Sequence, residues 1–115
     1  MDGSFDESGR YVMNNAISKK ERDWQRGKVA TKIKKIDDVI KVYYHDTPIV
    51  QIHTDGNIIL DNGGYETSTT KRRMNQVSEL YNLNFKVWQH NYEWYVENTN
   101  GNVQQFKSNR LKLKR

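Results

Sequence analysis

The stretch Thr54-Asp55-Gly56-Asn57-Ile58-Ile59-Leu60-Asp61-Asn62-Gly63-Gly64-Tyr65-Glu66-Thr67-Ser68-Thr69-Thr70-Lys71-Arg72-Arg73-Met74 passes from strand chemistry to helix chemistry without a long linker. Asp55-Gly56 between two apolar runs predicts a hairpin, because a type I′ turn needs positive φ at both central residues. Asn57–Asp61 is the returning strand, and Asn62-Gly63-Gly64 breaks it. A helix follows from about Thr70 to Tyr81, with Ser68 or Thr69 as the expected cap, since a hydroxyl there accepts from the unpaired first-turn N–H groups. Met74, Val77, Leu80 and Tyr81 make its apolar stripe. Arg72 points away from that stripe, with Lys71 and Arg73 on its flanks. Three cations in a first turn oppose the helix dipole.

Upstream, the apolar period is two. Val29–Ile33 predicts a short edge strand with its lysines toward solvent. In Val39–Tyr44, Ile40, Val42 and Tyr44 share one face, and Lys41 and Tyr43 the other. Asp37-Asp38 and Asp46-Thr47-Pro48 are expected turns, and Ile49–Thr54 is a third strand. Downstream, Phe85–Gln89 and Tyr92–Asn98 form a hairpin across His90-Asn91, and Asn100-Gly101 leads into Val103–Lys107. That pairing places Phe85, Val87, Trp94 and Val96 on one face, and Lys86, Trp88, Glu93 and Tyr95 on the other. It also sets Phe106 opposite Tyr95.

The fold class read from this pattern is α+β: an antiparallel meander, one central helix, then an antiparallel hairpin plus a strand, with partial barrel closure an option. The domain occupies residues 27–108. Residues 1–26 read as a polar, mobile arm in which Met13, Ile17 and Trp24 have weak helical spacing without a cap, and 109–115 read as a basic tail.

The chain has 115 residues, enough for one core, and 35% of them are hydrophobic against 29% charged. It has no cysteine, which excludes disulfides and thiolate metal sites. No signal peptide or membrane span is legible, so a cytoplasmic location is expected. The net charge of +5 is clustered. Residues 24–36 hold Arg26, Lys28, Lys32, Lys34 and Lys35 with no acid, the helix start adds three bases, and the C-terminus adds Arg110, Lys112, Lys114 and Arg115. Such clustering suits an anionic partner, and it equally suits simple solubility.

Thr69 and Thr70 with Lys71, Arg72 and Arg73 offer a helix N-terminus to a phosphate, although an ordinary cap explains the same residues. No Gly-Lys-Thr ends a glycine loop. Trp88 and Tyr95, with Phe106 and Lys86 nearby, are either a stacking platform for unpaired bases or core aromatics of a half-barrel, the latter favoured by the small domain. His45, His53 and His90 lack metal-ligand spacing, and no nucleophile–base pair stands out. The sequence reading is therefore a binder with no cofactor or metal, not an enzyme.

From Thr47 to Val96 the chain resembles a family of small bacteriophage proteins, including those from phages of cyanobacteria and other marine hosts. The resemblance rests on Asp55–Leu60, Asn62–Thr67, Thr69–Asn75, Val87-Trp88-Gln89 and Glu93-Trp94-Tyr95-Val96. The family often has Trp where Tyr65 stands. The resemblance implies a phage origin and a strand-turn-helix-hairpin layout, and carries over no catalytic or binding residue.

The function expected from the sequence is a phage accessory protein that binds nucleic acid with little sequence readout. Lys32, Lys34, Lys35, Thr69, Thr70, Lys71, Arg72, Arg73, Arg110 and Lys112 are its candidate contacts. The alternatives are a protein that modulates a host protein and a minor virion component.

Overall fold

The computed structural model describes residues 3–5, 11–13, 16–98 and 100–114. Gly3–Phe5 (β1) and Tyr11–Met13 (β2) pair as an antiparallel hairpin. Lys19–Gln25 is helix α1. Thr31–Ile36 (β3), Val39–Tyr44 (β4), Thr47–His53 (β5) and Asn57–Asp61 (β6) form the meander. Helix α2 is Ser68–Leu80. Lys86–His90 (β7), Glu93–Glu97 (β8) and Val103–Gln105 (β9) make a separate three-stranded sheet. Arg110–Lys114 (β10) returns to pair with β6, giving a five-stranded order β10-β6-β5-β4-β3. The class is α+β with antiparallel sheets. The five-stranded order is linear, so this sheet does not close into a barrel.

Turn chemistry fixes the registers. Asp37 and Asp38 have φ of 52° and 65°, the backbone that a two-residue type I′ hairpin demands. Between β7 and β8 the turn residues are Asn91 and Tyr92, at 51° and 66°, one position later than the sequence predicts. The register consequently slides by two residues, and a slide of two leaves each side chain on its expected face. At Asp55-Gly56 only Gly56 takes positive φ, 94°, and its N–H donates to the His53 carbonyl at 3.1 Å. This is a three-residue loop closed on a left-handed glycine, and the expected type I′ turn is absent. Gly101 does the same at φ 88°, donating to the Asn98 carbonyl. That extra loop residue moves Phe106 by one register position. It comes to lie against Trp94 on the core side, not opposite Tyr95 as predicted, and meets Trp94 edge-on with centroids 5.8 Å apart.

Two further boundaries differ from expectation. The β4–β5 turn is His45-Asp46, and Thr47 and Pro48 already belong to β5. Pro48 is accommodated because the register shifts between Val42 and Tyr43, leaving Ile49 as the bulged residue. The bulge buries Ile49 and Val50 in succession. The cap of α2 is Thr67, whose hydroxyl accepts from the Thr70 N–H at 3.2 Å.

The terminal segments are more structured than the sequence implies. Met13 lies in β2, so the expected Met13–Ile17–Trp24 spacing is not one helix. Helix α1 has the cap that sequence reading overlooked: Ser18 and Glu21 form a reciprocal capping box. Residues 110–114, expected as a tail, are strand β10, because Leu111 and Leu113 alternate with charged neighbours and face the core. Residues 1–2, 6–10, 14–15 of the expected arm, and Arg115, lie outside the described residues.

One buried cluster unites the pieces. Ile33, Val42, Val50, Ile58 and Leu60 come from the five-stranded sheet, Met74 and Val77 from α2, and Val87, Trp94, Val96 and Phe106 from the second sheet and its exit. Leu80 and Tyr81 are half-buried against this cluster, so the predicted helix stripe is the packed face. Helix α2 runs beside β7, the edge of the second sheet, and covers it.

Candidate functional site

Antiparallel pairing sets residues of neighbouring strands side by side on one face, so the registers translate into rows across the sheet. The inner rows are apolar: Leu111, Leu60, Val50, Val42 and Ile33 in one, then Leu113, Ile58, Ile52 and Ile40 in the next. Between them runs the outer row Lys112–Ile59–Gln51–Lys41–Lys34. Arg110 and Asp61 stand opposite each other in the neighbouring outer row, as do Lys32 and Tyr43. Lys114 and Asn57 pair at the other end. Six cations thus share one face with one acid, Asp61, among its strand residues. With strands about 4.8 Å apart, the five-residue row spans about 19 Å.

This face draws together Lys32, Lys34, Arg110 and Lys112, which are widely separated in sequence. All four are exposed. The Lys34 ammonium lies 5.0 Å from the Tyr43 ring centroid. Lys41 completes the central row and was not among the predicted contacts. Its alternation with Val42 within the strand was the available signal.

Lys35 does not join them. It falls on the inner face, at the end of the Leu113–Ile58–Ile52–Ile40 row, because strand alternation turns it away from Lys34. There its ammonium meets Glu21 of α1 at 2.7 Å, and both side chains are nearly buried. Tyr81 donates its hydroxyl to the same carboxylate. Burial alone would raise the Glu21 pKa, but Lys35, Tyr81 and Ser18 donate to it and together hold it at about 2. Burial, reinforced by the Glu21 charge, pushes the Tyr81 hydroxyl well above its usual range. Lys35 is a structural cation that fastens α1 to the sheet edge.

The helix tip also departs from expectation. Lys71 donates to Gln89 Oε1 at 2.6 Å and lies over the Trp94 ring. Arg73 donates to Thr31 Oγ1 at 3.1 Å and to Gln76 Oε1 at 3.0 Å. Thr70 is buried and bonded to Thr67. Arg72 is exposed, and Thr69 borders a cleft. The expected phosphate cradle is therefore taken apart: two of its cations tie α2 to the two sheets, and Thr67 already occupies the Thr70 N–H.

Trp88 and Tyr95 sit side by side on the outer face of the three-stranded sheet, half-buried, with ring centroids 6.0 Å apart and planes 22° from parallel. Phe106 belongs to the core, and Trp94 is its largest fully buried side chain. Around Trp88 and Tyr95 one cation stands among two carboxylates, Lys86 facing Glu97 and His90 facing Glu93. Tyr95 donates to Glu93 at 3.0 Å, and that bond raises its pKa. A face with more carboxylates than cations has no net attraction for phosphate.

Among the described residues, no group of three or more His, Asp or Glu could hold a metal ion, and no helix is long and apolar enough to cross a membrane. Comparison with curated proteins and with solved structures finds no match. A family model does match, over residues 9–112, and its description is Kyanoviridae Gp96 protein. That span contains α1, α2, β3 to β9 and three of the five residues of β10, and it agrees with the phage origin that the Thr47–Val96 motifs imply. The chain belongs to the Kyanoviridae Gp96 family of phage proteins.

Proposed function

We propose that this phage protein is a nucleic-acid-binding accessory protein whose contact surface is the outer face of the five-stranded sheet. The observation that carries the proposal is the row Lys112–Ile59–Gln51–Lys41–Lys34, flanked by Lys32, Arg110 and Lys114. Strand pairing fixes the backbone positions of these cations, so only their side chains must order on contact with a polyanion. The face has few groups that read base edges. Affinity then comes from phosphate neutralisation and release of condensed counterions, with little dependence on sequence.

The test is fluorescence anisotropy with labelled single-stranded and duplex oligonucleotides over a salt series. About five phosphate contacts give log K against log salt a slope near −3.5 for a single strand and near −4.5 for a duplex. No measurable affinity at low salt, or affinity independent of salt, refutes the proposal.

A second reading has its own observation. The Trp88–Tyr95 pair, with Tyr92 91% exposed beside it, is an aromatic surface without a basic excess, suited to a protein partner. Capture from host lysate after nuclease treatment distinguishes the two. A stoichiometric protein partner that is lost with Trp88→Ala supports this second reading.

A further inference from the structure

At the end of the five-stranded sheet where Lys32 and Tyr43 lie, a cleft of about 560 Å³ opens between the β4–β5 turn and the start of α2. This volume falls within the range of small-molecule sites. Tyr44, His45 and Tyr65 supply aromatic walls, and Asp46, Asn62 and Thr69 supply polar groups. Neither Lys nor Arg lines it. Lys71 donates to Gln89, and Arg73, close by, is tied to Thr31, the strand partner of Tyr44, and to Gln76.

Both walls are held in place. The His45 N–H donates to the Ala30 carbonyl at 2.8 Å, pinning the turn, and the His45 ring lies 4.5 Å from that of Tyr44. Across the cleft, Asp61 Oδ1 accepts from the Gly63 N–H and Asn62 Oδ1 from the Gly64 N–H, each at 2.8 Å. The Asn62 N–H donates to the Asn109 carbonyl just before β10. Aromatic side chains carried on a hydrogen-bonded backbone, here Tyr44, His45 and Tyr65, favour a flat ligand over a flexible one.

The charge selects further. A carboxylate without a neighbouring cation repels phosphate and accepts from N–H donors. Tyr43 and Tyr44 are consecutive on β4 and face opposite sides of the sheet. The basic row therefore lies on the outer face and the Tyr44 wall on the inner one, so a nucleic-acid strand held by Lys32 must turn round this end of the sheet to place a base in a site that refuses its phosphates. We infer that the cleft takes one unstacked nucleobase, and that Asp46 favours guanine, whose pairing edge presents adjacent N1–H and N2–H donors. This inference rests on the nucleic-acid reading for its choice of a base over another flat ring.

The test is a titration of the full ¹⁵N-labelled chain with guanosine, thymidine and ribose, followed by amide shifts. Guanosine is expected to give saturable shifts at Asp46, Tyr65 and Thr69, with thymidine at least fivefold weaker and ribose without effect. Asp46→Asn and Tyr65→Ala, both changes at the cleft mouth, should each weaken guanosine at least tenfold while the remaining amide spectrum stays folded. Lys34→Glu with Lys112→Glu should leave the guanosine titration unchanged and weaken oligonucleotides. Absence of saturable guanosine shifts, equal shifts from ribose, or wild-type affinity in Asp46→Asn overturns the base site. Guanosine binding without any oligonucleotide binding overturns the basic-face reading and retains the base site.

Discussion

The Asn75 side chain holds both backbone polar groups of Val87: its Oδ1 accepts the Val87 N–H at 2.8 Å, and its Nδ2 donates to the Val87 carbonyl at 2.9 Å. One turn along α2, the Ser78 hydroxyl does the same for Phe85, donating to the carbonyl at 2.8 Å and accepting the N–H at 3.0 Å. Two helical side chains thus stand in for a missing strand beside β7. An uncovered edge would leave these groups unpaired or open to another chain. Asn75→Ala is expected to destabilise the fold by about 1–3 kcal/mol, the cost of leaving partly buried donors and acceptors without partners. Asn75→Asp, which keeps only the acceptor, should also destabilise, because the Val87 carbonyl then faces a carboxylate. Urea unfolding midpoints measure both; wild-type stability in Asn75→Ala would refute the edge role.

Glu21 links folding to pH. Its pKa of about 2 in the folded chain lies below the ordinary value of 4.5. A lowered carboxylate pKa stabilises the fold fully above the unfolded value, and that contribution is lost as pH falls through the folded one. Stability should accordingly decline between about pH 4.5 and pH 2. Glu21→Gln should be less stable at neutral pH by about 3 kcal/mol, since Lys35 is left nearly buried without its partner, and should flatten the acid limb. Urea unfolding across a pH series reads both effects; an unchanged acid limb in the variant would place the titrating group elsewhere.

Gly63 and Gly27 offer a controlled comparison. Both have left-handed backbones, at φ 62° and 78°, so an added Cβ costs about 1–2 kcal/mol at either position. At Gly63 that Cβ would also meet Thr47 Oγ1 at 2.5 Å, whereas at Gly27 nothing lies within 4 Å. Gly63→Ala is expected to exceed Gly27→Ala in cost by about 1–3 kcal/mol. Adding Thr47→Ala should recover part of that excess. Equal costs at the two glycines, measured by thermal unfolding, would contradict the close approach.

The cations divide into two kinds with different expected phenotypes. Lys34→Glu with Lys112→Glu changes only exposed side chains of the outer row, so it should reduce oligonucleotide affinity at least tenfold at low salt with unfolding unchanged. Lys35→Glu sets two carboxylates together, and Arg73→Glu breaks the link to Thr31, so both should act first on stability. Parallel unfolding and anisotropy measurements separate the classes. A folded Lys35→Glu with the largest loss of affinity would reverse this assignment.

Local chemistry determined a large share of this protein. Strand alternation placed Ile33, Ile40, Val42 and Leu60 inside, and the spacing of Met74 and Val77 marked the packed face of α2, because side-chain direction follows from the backbone period alone. The capping box at Ser18–Glu21 and the alternation of Leu111 and Leu113 were equally local, and were masked by the polar composition around them. The face that gathers Lys32, Lys34, Lys41, Arg110 and Lys112 was decided by tertiary structure, since only the pairing of β10 with β6 sets the C-terminal cations in line with the others. Loop length decided Phe106, where one extra residue before Gly101 exchanged an outer face for the core. The helix tip was settled by what stood opposite it: Gln89 and Thr31, remote in sequence, took Lys71 and Arg73. Sequence specifies which way a side chain points along its own element, whereas its partner depends on which distant elements the core brings beside it.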